Sequence, residues 1–148
     1  MKREKPENLM RVSFPSRSVN ESLSRSLAAA FAALADPTVE ELCDIKTAVS
    51  EAVTNAIVHG YRNTLGTVYI TAALYPGGKM VITIRDRGCG IADVEKAREP
   101  LYTTCTTGER AGLGFAVMEE LMDRVRVRSR LGEGTTVTLE RRLKSRNG

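Results

Sequence analysis

Very little in this sequence could build a disulfide framework or a thiolate metal site. Its three cysteines, Cys43, Cys89 and Cys105, lack C-x-x-C spacing and lie in segments of different character, which leaves free thiols in a reducing compartment. No run approaches the roughly 20 apolar residues of a membrane span. Gly-Lys-Ser/Thr is absent, which excludes a Walker loop. Met1–Asn8 is polar with no apolar run behind it, so neither a secretory signal nor a transit peptide is expected and the chain reads as cytoplasmic. Charge of one sign is also scarce: the net charge is +4, and the cluster Arg141, Arg142, Lys144, Arg146 reads as a solvated tail in preference to a nucleic-acid surface.

What is present is the balance of one globular domain. The 148 residues are 42% hydrophobic and 27% charged, without repeats, and are enough to bury an ordinary core. A single domain over 1–148 is expected, with residues 1–8 and 144–148 as flexible tails. Leu9–Phe14 has strand character and stops at Pro15, which suits an edge strand able to pair with a second copy. Ser18-x-x-Glu21 predicts a capping box. Leu23, Leu27, Ala30, Phe31 and Leu34 then predict a helix over 19–35. Asp36-Pro37 predicts the next helix start, with Asp as cap and Pro in the first position; that helix should reach His59 and stop at Gly60, with Leu42, Ile45, Val49, Ala52 and Ala56 facing a sheet.

Alternation through Val68, Ile70, Ala72 and Leu74, the turn Pro76-Gly77-Gly78, and alternation through Met80, Ile82 and Ile84 predict a hairpin that delivers Asp86 at its end. A short helical piece at 94–98 precedes a mobile segment at 102–110. A third helix begins in glycines and carries Phe115, Val117, Met118, Leu121 and Met122. Val125 and Val127 alternate with Arg124, Arg126 and Arg128, which should occupy the sheet face opposite the core, as solvent surface or as a dock for an acidic protein. A last strand spans 136–143.

Three blocks carry chemistry. Glu51, Asn55 and His59 recur every four residues and share one slowly turning helical face. An amide oxygen at Asn55 suits Mg²⁺, which takes oxygen ligands and completes its shell with phosphates and water. Glu51, one turn earlier, could accept a proton from an attacking hydroxyl. Asp86-x-Gly88-x-Gly90 follows a strand; the ionised aspartate accepts from an exocyclic amine and the glycines let the backbone approach a base. Gly108, Gly112 and Gly114 precede a helix whose free amides can hold phosphate, with Arg110 among them. Each block alone also reads as ordinary helix surface, turn geometry or a flexible loop. The only histidine, His59, reads as a helix-end group with no separate phosphoacceptor helix.

Taken in order, and followed by Gly134-Thr135-Thr136, the blocks resemble the GHKL, or Bergerat-fold, ATPases. The runs Glu51-Ala-Val-Thr-Asn55-Ala-Ile-Val-His59-Gly60-Tyr61, Ile84-Arg-Asp86-Arg-Gly88-Cys-Gly90-Ile91 and Glu109-Arg-Ala-Gly112-Leu-Gly114-Phe115 are similar to those of bacterial anti-sigma factor serine kinases, first the sporulation type and next the stress-response type. The similarity runs from about residue 20 to 143.

The resemblance implies an α/β two-layer sandwich. A mixed, mostly antiparallel sheet is covered on one face by helices, with a flexible ATP lid. It implies ATP/ADP and Mg²⁺ as cofactors, a sigma factor of the sigma F type held inactive by a kinase homodimer, and an anti-anti-sigma antagonist phosphorylated on serine. Direct nucleic-acid or membrane contact is not implied. Glu51 becomes the general base and Arg110 a catalytic cation; Asn55 ligates the metal; Asp86 reads adenine beside Gly88, Gly90 and Thr135; Thr104, Gly108, Gly112 and Gly114 join the lid; Arg25, Glu109 and Arg110 touch partners. One departure from the pattern is Cys105, where relatives often carry a lid lysine. The alternative within this reading is a nucleotide-gated binding module with negligible transfer.

Overall fold

The computed structural model describes residues 4–98 and 111–144. Five strands form one sheet in the order β1-β2-β3-β5-β4. They are β1 (Asn8–Pro15), β2 (Thr67–Tyr75), β3 (Lys79–Asp86), β4 (Arg124–Arg130) and β5 (Gly134–Arg142), and all four neighbouring pairs are antiparallel. Alternation sets the register. Val68, Ile70 and Ala72 of β2, Met80, Ile82 and Ile84 of β3, and Val137 and Leu139 of β5 are buried on one face. The opposite face carries Arg126, Arg128 and Arg85, all exposed, among half-buried threonines, as the alternation in β4 predicts.

Helices α1 (Val19–Ala33), α2 (Val39–Thr54), α3 (Val94–Ala97) and α4 (Ala111–Leu121) supply the second layer. From α2, Ile45, Ala48, Val49, Ala52 and Val53 enter the core, where they meet the sheet and Phe115 and Met118 of α4. Among the described residues no helix is long and apolar enough to cross a membrane.

Helix starts and faces differ from expectation at α1 and α2. Ser18 lies in helical conformation and its side chain makes no cap bond; the Glu21 carboxylate instead accepts from Ser50 Oγ on α2 and pairs with Arg25 at 3.7 Å. A partner on the neighbouring helix has outcompeted the local cap. The buried stripe of α1 is Ser24, Ala28, Phe31 and Ala32, one residue round from the expected set, because small residues let α1 lie close on α2. Leu23 and Leu34 are 45% and 69% exposed. The cap of α2 is Thr38, not Asp36. Thr38 Oγ1 accepts from Glu41 N at 3.0 Å, and Glu41 Oε1 accepts from Thr38 N at 2.8 Å. Asp36 takes a left-handed conformation (φ 52°) in the connection. Thr38 and Glu41 form the reciprocal box, two residues beyond the expected Asp36 cap.

At the carboxyl end, Arg141 belongs to β5 and pairs with Asp44 at 3.0 Å, so the basic cluster there is partly structural.

Candidate functional site

Beyond Thr54 the helix does not stop but widens. Asn55–Gly60 forms a π-helical turn closed by Tyr61 N to Ala56 O at 2.9 Å, a bond from residue i to i−5. Asn55 and His59 both remain on the wall of one cavity through this turn. Tyr61 anchors its far end: the phenol donates to Thr67 O at 2.5 Å and accepts from Arg87 N at 2.7 Å. The end of β3 is thereby held against the end of the helix.

The cavity so formed is a narrow, partly open cleft of about 30 Å³. Its apolar lining comes from the sheet floor (Ile84, Val137), the helices (Ala52, Ala56, Ala97, Phe115) and Ile91; its polar groups are Asn55, His59, Asp86 and Thr135. Asp86 is 5% exposed, and Gly88 N donates to its Oδ1 at 2.9 Å. Burial pushes the Asp86 carboxyl up to about 6 from 3.8, against the lowering effect of bonds from the Gly88 and Thr135 backbone. A carboxylate kept this dry is poised for a ligand donor.

Close approach explains the glycines here. A Cβ on Gly88 would lie 2.1 Å from Gly60 O, and one on Gly60 would lie 2.8 Å from Asp86 Cγ. The Asp86 loop and the π-turn therefore pack backbone to backbone, joined by Cys89 N to Gly60 O at 2.8 Å. Cys89 is half-buried, with its thiol donating to His59 O at 3.1 Å.

Glu51 and Asn55 come together at Gly114 of α4. A Cβ added there would meet Asn55 Nδ2 and Glu51 Oε2, each at 3.2 Å. Asn55 Nδ2 is buried without a hydrogen-bond partner among the described residues. A buried amide donor with no protein partner suits an acceptor on a ligand. Its Oδ1 is a hard oxygen donor that fits Mg²⁺. Among the described residues no three His, Cys, Asp or Glu side chains form a metal cage, so an ion here would share Asn55 with oxygens brought by the ligand.

Of the expected site residues, Asn55, Asp86, Gly90 and Thr135 line the cavity, Gly88 and Gly114 shape it, and Glu51 stands beside Gly114. Gly112 lies on α4. Arg25 is on α1, paired with Glu21 and outside the cavity lining. Thr104, Gly108, Glu109, Arg110 and Cys105 fall outside the described residues.

Comparison with known proteins agrees with this geometry. The family described as histidine kinase-like ATPase domain matches residues 14–141. The anti-sigma F factor of Thermoanaerobacter sp. (strain X514) is 51% identical over 138 residues, covering 93% of this chain and 96% of its own. The chain belongs to the anti-sigma F factor family of histidine kinase-like ATPases. The anti-sigma F factor of Heyndrickxia coagulans is 49% identical over 142 residues, covering 95% of this chain and 97% of its own. Among solved structures, the RsbU and RsbW domains of Rv1364c from Mycobacterium tuberculosis superpose with TM-score 0.68 at 25% identity. That match covers 93% of this chain, which spans about a third (33%) of the longer one. The two-layer α/β sandwich expected of a GHKL ATPase is the fold observed.

Sequence reasoning left out the apolar walls and Ser129. Phe115, Ala97 and Ile91 give no polar signal, and their role emerges only once α3 and α4 close over the sheet. Ile91 and Phe115 each directly follow a block glycine, Gly90 and Gly114, which was the available clue.

Proposed function

We propose that this protein is an anti-sigma factor that also acts as an ATP-dependent protein serine kinase. It holds a sigma factor of the sigma F type inactive and phosphorylates a serine of an anti-anti-sigma antagonist. The observation that carries the enzymatic half is the meeting of Glu51 and Asn55 at Gly114, beside a cavity that also holds the buried Asp86. This neighbourhood supports reading Glu51 as base, Asn55 as metal ligand and Asp86 as adenine reader.

In this reading Asp86 and Thr135 receive the adenine, and the apolar walls exclude water from it. Asn55 holds Mg²⁺, which when bound neutralises phosphate charge. Glu51 takes the proton of the attacking serine hydroxyl, and Arg110 with the glycines of 108–114 covers the phosphates. Glu109, Arg110 and Arg25 contact the protein partners. The exposed Leu23 and Leu34 of α1, together with the free edge of β1, support a homodimer that covers them.

The test is incubation of the purified protein with γ-labelled ATP, Mg²⁺ and a candidate antagonist. Label on antagonist serine is expected, and its loss in Glu51→Ala with ATP binding retained. ATP binding by the wild type without any transfer would falsify the kinase half and leave a nucleotide-gated binding module.

A further inference from the structure

Ser129 has no place in the chemistry above, yet it ties Ile91, Gly134 and Thr135 together on the Asp86 side of the sheet. Asp86, Thr135 and Ser129 form one row across β3, β5 and β4, each registered on the next. Ser129 Oγ accepts from Ile91 N at 2.7 Å, donates to Gly134 O at 2.9 Å and lies 2.8 Å from Thr135 Oγ1.

A hydroxyl has one proton and two lone pairs. The Ser129 proton goes to the Gly134 carbonyl, which can only accept. One lone pair is taken by the Ile91 amide. What remains is a single lone pair directed at Thr135, so Thr135 must be the donor in that contact. With its proton spent on Ser129, the Thr135 hydroxyl has only lone pairs left for the cavity it lines.

We infer that Ser129 is a positioning residue for base selection, because it fixes Thr135 as a pure acceptor beside the Asp86 carboxylate. The inference rests on the reading that this cavity holds the base of ATP. Two acceptors side by side suit a purine 6-amino group, which carries two N–H donors. They oppose a 6-oxo group, which carries none and would face two lone-pair-bearing oxygens. Asp86 alone supplies part of this preference; Ser129 removes the escape by which a free threonine hydroxyl would rotate and donate to a 6-oxo oxygen.

The experiment compares ATP with inosine triphosphate, which carries a 6-oxo group in place of the 6-amino group and a proton on N1, by equilibrium binding to wild type, Ser129→Ala and Ser129→Thr. In Ser129→Ala the ATP preference is expected to fall about tenfold, mostly through tighter inosine triphosphate binding, the scale of one hydrogen bond gained. Ser129→Thr, which keeps the hydroxyl, is expected to retain the wild-type ratio. If Ser129→Ala weakens both nucleotides by the same factor, or leaves the ratio within about twofold, Ser129 is only a structural tie and the inference is wrong. A wild type that binds neither nucleotide overturns the inference together with the adenine reading; one that binds ATP with an unmoved ratio overturns the inference alone.

Discussion

Tyr61 and Arg87 are joined by a 2.7 Å hydrogen bond from the Arg87 amide to the phenol oxygen, while the phenol proton goes to Thr67 O. One side chain at the end of the π-turn therefore sets where β3 stops and where Asp86 sits. Tyr61→Phe removes both bonds and leaves the Arg87 amide unpaired. We expect a stability loss of about 1 to 2 kcal/mol in urea unfolding, and weaker ATP binding with no change in the far-ultraviolet circular dichroism.

Asp86 pits folding against binding. Its carboxyl is raised in the folded chain, so the folded state takes up a proton that the unfolded state does not between about 6 and 3.8. Its contribution to stability is fully present below 3.8 and lost as pH rises through about 6. Ligand amines favour the ionised form. ATP affinity measured by calorimetry should therefore decline as pH falls through 6, and Asp86→Asn should flatten that profile. The same substitution removes a buried charge and is expected to raise the melting temperature without nucleotide while abolishing tight ATP binding. A lower melting temperature with intact binding would count against the assignment.

Glu41 behaves with the opposite sign. Burial works to raise its carboxyl, but bonds from the Thr38 and Lys144 amides and the Thr38 hydroxyl outweigh it, and the carboxyl is held below its ordinary value of 4.5. Its contribution is present above 4.5 and lost as pH falls below it. Thr38→Ala breaks the reciprocal cap and should cost about 1 kcal/mol. A Thr38→Ala protein as stable as wild type in chemical denaturation would show that the cap is redundant.

Gly114→Ala separates stability from turnover. Alanine is the better helix former by roughly 0.5 to 1 kcal/mol, yet its methyl would press on Asn55 and Glu51 at 3.2 Å. Thermal stability should hold or rise, while phosphoryl transfer drops at least about tenfold through misplacement of the reacting groups. Transfer at the wild-type rate would show that these side chains yield freely.

The legible part of this molecule was what periodicity and glycine placement encode. The hairpin from Thr67 to Asp86 and the outward arginines of β4 followed from alternation, the cavity positions of Asn55, Asp86 and Gly90 from block order, and that of Thr135 from the family resemblance. What escaped depended on competition between distant partners. Ser18 and Glu21 have the spelling of a cap, but Ser50, 29 residues away, claims the carboxylate. The buried face of α1 moved by one residue because packing on α2 favours Ser24, Ala28 and Ala32 over bulkier leucines. The widening at Asn55 left no trace, since six residues are too few for apolar spacing to separate a π-turn from the α-helix it continues.

That widened turn makes the site depend on how the backbone is wound as well as on residue identity. Were the same six residues of the turn wound as regular α-helix, Gly60 would turn by one residue's step, roughly 100°, relative to Asn55. Gly60 O would then leave Cys89 N, and the Asp86 loop would lose its seat. Every polar group of the site would still be present in such a chain. In evolutionary terms, substitutions that straighten this turn would take the site apart without removing one of its polar side chains.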